Sequence, residues 1–332
     1  MPVHVLLVFR KKIATYFSIE NVFSILMPFL EMKSNVKSLE VPFIQADPFS
    51  VAKNLRSLRK RTEQVIHITG DIHYAVFSFP GRKTILTIHD CVFLHNKSGL
   101  RKLLFEWVWL KLPVWHARYI TTISEASKRD ILKYTGCNPS KIRVITDPVD
   151  PAYTFTEKEF NQHKPVLLQI GTWPNKNLAR VAEALKDISC RLIIVGKLST
   201  EQEAILKKNN IDYETRYQLS KEALIAVYQA CDMVVFLSTF EGFGLPVIEA
   251  QATGRPLITS ALPPMNEVAG DGAHLADPYS ISSIRDGILK IIHEPDYRET
   301  LIQAGRVNLK RFDAKEIAAS YLELYETVAN EF

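Results

Sequence analysis

The chain has 332 residues, 47% of them apolar, with 41 Lys and Arg against 36 Asp and Glu and a formal charge of +5. That length fits about two domains of roughly 150 residues, each with its own core, and so small a basic excess, with no nucleic-acid module in the sequence, argues against a nucleic-acid partner. Cys91, Cys137, Cys190 and Cys231 are far apart and form no CxxC pair, which argues against a zinc site or a disulfide framework and for reduced, mostly buried thiols in a cytosolic protein.

In chain order, the apolar run 3–9 comes first and is followed by Arg10, Lys11 and Lys12. A signal peptide places its charge before the apolar stretch, and no run approaches the ~18 residues needed to span a bilayer. The run therefore predicts a buried first strand. Runs 64–69, 83–87, 119–122 and 142–145 read as further strands of a first sheet. A polar stretch, 155–164, reads as a linker. The pattern then restarts with strands at 166–170, 191–195, 233–237 and 256–259. Helical patterns fill the gaps at 177–186, 221–230 behind Ser220 as N-cap, 247–252 and 314–329. Strands alternating with helices predict two doubly wound parallel-sheet domains in series.

Two stretches of the first half combine charge with other features. Lys53 to Arg61 is strongly basic and reads as a solvated face. Arg101 to Lys111 mixes bases with Leu103, Leu104, Phe105, Trp107, Val108 and Trp109 and reads as core packing. The alternative for both is a basic amphipathic helix resting on an anionic membrane surface. A polar cluster after the second predicted strand, with Gly70, Asp71 and His73, reads as lining for an acceptor site, or else as a turn in which Asp71 caps the next segment.

The densest chemical signal is Glu241-Gly242-Phe243-Gly244-Leu245-Pro246-Val247-Ile248-Glu249. A strand runs into a glycine-containing turn and a helix begins. Ligands of open α/β sheets sit at the carboxyl ends of the strands, glycines admit close backbone approach, and helix-start N–H groups favour phosphate. Two carboxylates around such a turn suit a ligand carrying both a diphosphate and polyol rings. A surface turn with two solvated glutamates is the plain alternative.

That segment resembles the signature of the retaining family 4 glycosyltransferases (glycosyl transferases group 1). So do Gly171-Thr172-Trp173-Pro174-Asn175-Lys176-Asn177, Thr122-Ile123-Ser124-Glu125-Ala126-Ser127-Lys128, Thr87-Ile88-His89-Asp90 and Glu267-Val268-Ala269-Gly270-Asp271 with Asp277-Pro278. The matches keep their order over about 66–312. The resemblance implies the GT-B fold: two Rossmann-like domains facing across a cleft, an acceptor-side domain at 1–160, a donor domain at 161–312, and a final helix at 313–332 crossing back to the first.

It also implies roles. Glu249 would bind the donor ribose and Glu241 the transferred sugar. Phe243, Gly244 and Leu245 would lie against sugar and diphosphate, with Gly171 giving close passage. Lys176 would neutralise the diphosphate, with Lys197 as a secondary candidate. His89 would face the sugar from the first domain, so that His89, Glu241 and Lys176 form the catalytic set. The backbone from Tyr213 to Leu219 would read the base. Arg180 reads as a solvated helix residue. Thr172 stands where many relatives carry arginine, and 10–20 replaces their glycine-rich loop.

The expected reaction moves a hexose-type sugar from a nucleoside diphosphate sugar to the hydroxyl of a saccharide or lipid-linked saccharide, with retention, in polysaccharide or glycolipid assembly. No Asp-x-Asp follows a strand, so no metal and no cofactor is expected. A cytoplasmic place is expected, with contact at the inner membrane face through the N-terminal domain as its extension. A nucleotide-sugar epimerase or phosphorylase of the same fold, or a non-catalytic nucleotide-sugar-binding partner subunit, are the alternatives.

Overall fold

Short runs rich in Val, Ile and Leu form the strands of two six-stranded parallel sheets in the computed structural model, which describes residues 2–12, 18–94 and 99–331. The first sheet comprises β1 (Val3–Phe9), β2 (Ser34–Glu40), β3 (Val65–Ile68), β4 (Thr84–Thr87), β5 (Tyr119–Thr122) and β6 (Ile142–Val144). The second comprises β7 (Val166–Ile170), β8 (Arg191–Val195), β9 (Asp212–Arg216), β10 (Met233–Phe236), β11 (Leu257–Ser260) and β12 (His274–Ala276). β3, β4, β10 and β11 are buried at every position, as strands covered by helices on both faces must be.

Three strands escape a reading based on apolar runs: β2, β9 and β12. Each is an edge strand, with one flank unpaired and a sequence to match: Ser-Asn-Val-Lys-Ser-Leu-Glu, Asp-Tyr-Glu-Thr-Arg and His-Leu-Ala. Polar, short edges are the normal defence against edge-to-edge pairing, and they remove the apolar signal.

The chain divides into two compact units, 1–148 with 313–332, and 149–312. The stretch 155–164, expected as a linker, lies inside the second unit. There Asp232 accepts from Lys158 Nζ at 2.5 Å and from the amides of Asn161 and Val166, at 3.2 and 2.7 Å. Its polarity belongs to this clamp. The helix Ala314–Asn330 packs on the first unit beside the helix Ser18–Glu31, burying Tyr321 and Tyr325 against Phe23 and His67. His67 is core: its ring nitrogens meet Tyr325 Oη at 2.8 Å and Thr87 Oγ1 at 2.7 Å, and burial lowers its pKa to about 3. Cys91, Cys190 and Cys231 are buried, and all four cysteines are free thiols.

The stretch expected to be core packing departs from that reading. Within the helix Gly99–Phe105, the π-helical turn Glu106–Lys111 and the helix Leu112–His116, Leu110 and Val114 are buried, but Leu103, Leu104, Trp107, Val108, Leu112 and Trp115 are exposed. One stripe packs inward and the opposite one faces solvent. The side chains of Arg101 and Lys102 lie outside the described residues. In the basic stretch 53–61, Asn54 and Leu58 are buried and the other residues face water to varying degrees.

The second sheet runs β12-β11-β10-β7-β8-β9, the strand order of a dinucleotide-binding Rossmann sheet, whose crevice opens where the order reverses. That point lies between β7 and β10. In the first sheet, β2-β1-β3-β4-β5-β6, the reversal falls between β1 and β3.

Candidate functional site

The second unit places the two turns that carry the sequence signals side by side at its β7/β10 reversal. After β7, Gly171 has φ +87°, and a Cβ there would lie 3.0 Å from Lys176 Cγ and Cε. Glycine at 171 therefore leaves the space through which the Lys176 arm passes. Lys176 Nζ meets Glu241 Oε1 at 2.5 Å, both side chains being less than one-fifth exposed at 16% and 17%, and lies 4.7 Å from the Phe236 ring centre. Asn175 ties the turns together: Nδ2 donates to Phe240 O at 2.9 Å and to Glu241 Oε1 at 3.2 Å, and its carbonyl accepts from Thr239 N at 2.8 Å. Beneath them, Gln169 Nε2 donates to Lys176 O at 2.8 Å, while Gln169 Oε1 and Ser238 Oγ are buried with no hydrogen-bond partner.

Gly244 (φ +107°) is the N-cap of the helix Leu245–Ala252, with Pro246 in its first turn. Only glycine adopts that turn without strain; Pro246 has no N–H and Val247 N donates to Gly244 O at 2.9 Å, so what the helix start offers an anion is the positive end of its dipole. Phe243 is buried, stacked edge-on to Phe312 with centroids 5.7 Å apart, and Leu245 is half-buried.

Glu249 lies one turn into that helix. Tyr228 Oη, itself fully buried, donates to Glu249 Oε2 at 2.7 Å, and the Tyr153 hydroxyl also bonds this carboxylate. Burial pushes the Glu249 carboxyl above its ordinary value, and the two tyrosine hydroxyls pull it back. The rings of Tyr153 and Tyr228 meet edge-on at 5.5 Å. An ion pair between Asp150 and Lys221 fastens the loop carrying Tyr153 to the helix Lys221–Ala230 that carries Tyr228. A carboxylate preset by two hydroxyls keeps its remaining lone pairs in one direction, which suits a vicinal diol.

Thr172, at the position where the resemblance expects arginine, brings no charge. Its Oγ1 donates to Lys197 O at 2.8 Å, and its methyl group occupies the space that a Cβ on Gly196 (φ +146°) would take, at 2.8 Å. Lys197 itself is exposed. The stretch expected to face a base is β9 and its end: Tyr217 is exposed, Gln218 has φ +54° and Leu219 is partly buried. Arg180, expected to be solvated, is partly buried; it donates to Asn177 Oδ1 at 3.0 Å and stands 5.4 Å from the Tyr279 ring centre.

In the first unit, His89 follows β4. Its Nε2 meets Thr69 O at 2.9 Å, and since a carbonyl only accepts, Nε2 carries a proton. Ser127 Oγ donates to His89 O at 2.9 Å, from the first turn of the helix Glu125–Thr135 that Ser124 caps. Gly70 (φ +143°) lies flat against the imidazole: a Cβ there would stand 2.7 Å from Cδ2. Asp147, just past β6, is buried, which pushes its carboxyl up to about 6, with the His89 charge pulling the other way.

Asp71 (φ +54°) faces solvent and pairs with Arg10, which also holds Glu20 through Nε at 2.9 Å and Nη2 at 3.1 Å. It takes part in an ion-pair network across the β1/β3 reversal. Residues 13–17 of the segment replacing the glycine-rich loop lie outside the described residues. His73 is buried with Nδ1 on Trp109 O at 2.7 Å, and burial lowers its pKa. Asn175, Tyr153, Tyr228 and Asp147 join these groups without having been singled out in the sequence. Asn175 sits inside the quoted turn, but Tyr153 and Tyr228 lie in unrelated segments. Among the described residues, no group of three or more His, Cys, Asp or Glu could hold a metal ion.

Comparison with known proteins accords with this geometry. The family model described as Glycosyl transferases group 1 matches residues 154–308, and that described as Glycosyltransferase Family 4 matches 35–153. The O-antigen chain mannosyltransferase RfbU of Salmonella typhimurium is 29% identical over 65% of this chain and 62% of its own length, so the match spans less than two thirds of that relative. A GDP-mannose:cellobiosyl-diphosphopolyprenol alpha-mannosyltransferase of Xanthomonas oryzae is 26% identical over 80% of this chain and 74% of its own. Among solved structures, sucrose-phosphate synthase of Thermosynechococcus elongatus superposes with a TM-score of 0.79 at 15% identity, covering 99% of each chain. HepE of Anabaena, in complex with UDP and glucose, gives 0.75 at 15% identity, covering 98% of this chain and 100% of its own. At those identities the structures speak for the fold alone. With both sheets, both family models and the β7/β10 turns in agreement, the chain belongs to the group 1 (family 4) glycosyltransferases of GT-B fold.

Proposed function

We propose that the chain transfers a hexose, with mannose from GDP-mannose as the first donor to test, to a hydroxyl of a saccharide or lipid-linked saccharide, with retention and without a metal. The observation that carries this reading is the Lys176–Glu241 pair beside the start of the helix Leu245–Ala252 at the β7/β10 reversal. A diphosphate laid there would meet a cation and a helix pole together, the electrostatic help that a departing nucleoside diphosphate needs. Glu241, released from Lys176 in part, would then turn to the sugar hydroxyls. Glu249 would hold the ribose. The choice of mannose rests on the sequence relatives, which include mannosyltransferases, two of them named for GDP-mannose.

In the proposed step the acceptor oxygen attacks the anomeric carbon on the face the leaving group departs from. The bond from that carbon to the phosphate oxygen breaks with its electron pair going to the phosphate, and the acceptor proton passes to the same oxygen. His89, its Nε2 proton held on Thr69 O, would meet the sugar. The test is a panel of GDP-, UDP- and ADP-sugars scored for slow hydrolysis in chelator, with product configuration read by proton NMR on a simple mannoside acceptor. Release of nucleoside diphosphate from one donor and an α-linked product would support the reading. Hydrolysis of none, or an inverted product, would reject it.

A further inference from the structure

In β7, Val-Leu-Leu-Gln-Ile, Gln169 is the one polar residue, in a central strand whose neighbours at its level are Ile194 on β8 and Val235 on β10. It is wholly buried. Its Nε2 donates to Lys176 O at 2.8 Å, while its Oε1 is buried with no hydrogen-bond partner, as is Ser238 Oγ. Among the described residues these are the buried side-chain nitrogen and oxygen atoms so left, and both lie where β7 and β10 run out into the turns that carry Lys176 and Glu241. Burying a polar atom unpaired costs stability. An apolar side chain at 169 would continue the Val-Leu-Leu run without that cost, so fold stability alone does not account for a carboxamide here.

What the carboxamide reaches is the main chain of Lys176. That residue closes the short turn Pro174–Lys176, and the helix Leu178–Ala184 starts only after Asn177 (φ +61°). Its carbonyl lies ahead of the helix and outside the intrahelical ladder, and Gln169 supplies its donor instead. The Lys176 N–H goes to Trp173 O at 2.8 Å. Both main-chain polar groups of Lys176 are thus fastened, one within its own turn and one to the sheet. The side chain then has few paths. Gly171 lies beside its stem, where a Cβ would be 3.0 Å from Cγ and Cε, and Nζ ends on Glu241 Oε1 at 2.5 Å. Of these restraints, the bond from Gln169 is the one that ties the lysine to a strand rather than to another turn.

We infer that Gln169 is a positioning residue for the proposed transfer: its amide anchors the Lys176 peptide to β7 and so sets where Nζ stands beside the start of the helix Leu245–Ala252. The inference rests on the proposed role of Lys176 at the diphosphate. Gln169 is wholly covered and acts through the lysine. Without its bond the Lys176 peptide can rotate, and Nζ moves with it. Misplacing a group that serves the transition state by about 1 Å costs up to about 10²-fold in rate.

The test is a double-variant cycle on the full chain: Gln169→Met, which keeps length and volume but has no N–H, Lys176→Met, and the two together. For each, kcat/KM is measured with the donor that the panel of GDP-, UDP- and ADP-sugars identifies, and the melting temperature is recorded. Gln169→Asn, which keeps the amide one methylene short of Lys176 O, is the second variant at the same position. The expected result is a fall in kcat/KM of about 10- to 100-fold for either change at 169, melting within a few degrees of wild type, and a double variant no slower than Lys176→Met alone. A residue of structural importance only would lower the melting temperature and add its loss to that of Lys176→Met. Wild-type turnover in both Gln169 variants, melting temperatures lowered in step with activity in both, or losses that multiply in the double variant would overturn the inference and leave the Lys176 reading intact. Wild-type turnover in Lys176→Met, or no turnover of any donor by the wild type, would reject that reading and the inference with it.

Discussion

Lys176 Nζ stands 2.5 Å from Glu241 Oε1, across two turns that leave neighbouring parallel strands 65 positions apart in sequence. The pair is largely shielded from water, so its charges are screened less and interact more strongly than surface ions would. If Lys176 serves the departing diphosphate, Lys176→Met lowers kcat by about 10²–10³, while Lys176→Arg retains part of it. Steady-state kinetics with the donor found by the panel checks this. A kcat within a few-fold of wild type for the methionine variant would remove Lys176 from the proposed chemistry.

Tyr228 donates 2.7 Å to Glu249 and touches nothing that reacts in the proposed step. Tyr228→Phe should act on donor binding, raising KM for the donor by about 10-fold or more, the usual worth of a hydrogen bond to a charged group, with kcat little changed. Tyr153→Phe should do the same more weakly. An equal fall in kcat for both would mean that the tyrosines act beyond the orientation of Glu249.

Gly70 packs against the His89 ring, and Gly70→Ala puts a methyl 2.7 Å from Cδ2 at a φ of +143° that side chains disfavour. The imidazole must swing from Thr69 O. Turnover should fall severely while affinity for the nucleoside diphosphate, proposed to bind the second unit, holds. Loss of both together, by calorimetry and kinetics, would point to general misfolding instead.

Asp147 gives a pH signature. Its folded pKa, about 6, lies above the ordinary 3.8 because burial disfavours the charge. Between those values the folded state binds the extra proton, so this group's contribution to stability falls as pH rises through about 6, by roughly 3 kcal/mol in all. Asp147→Asn should therefore melt higher than wild type above that pH, with the gap closing below about pH 4. His67 works in the opposite sense: its pKa of about 3 against 6.5 costs stability as pH falls below 6.5. Melting both proteins across pH and taking the difference isolates Asp147. A gap that does not change with pH would refute the assignment.

Chemistry and local structure coincide in the sequence at the donor-side turn. Glu241, Gly244 and Glu249 lie within nine consecutive residues, and their strand-turn-helix setting follows from the apolar run before them and the Gly-Leu-Pro start of the helix. Eight of the nine strands expected are internal or buried, and their Val, Ile and Leu runs are hard to miss. Edge strands β2, β9 and β12 carry no such run because water, not a neighbour, covers one side. Tyr153, Tyr228 and Asp147 were silent for another reason. Each acquires its role from residues brought beside it by the fold, at 96, 21 and 58 positions' remove from Glu249 or His89. The exposed residues Leu103, Leu104, Trp107 and Val108 run the other way, since large apolar residues on a helix are most often core.

In the proposed reaction the β7/β10 turns hold a nucleoside diphosphate sugar. Isothermal titration of GDP-mannose and UDP-glucose into the wild type, Glu241→Ala and Glu249→Ala, without metal, tests it most directly. Saturable binding of one donor to the wild type, weakened at least tenfold in both variants with melting temperatures unchanged, is the expected result. Unweakened binding in both variants would place the donor elsewhere and contradict the account.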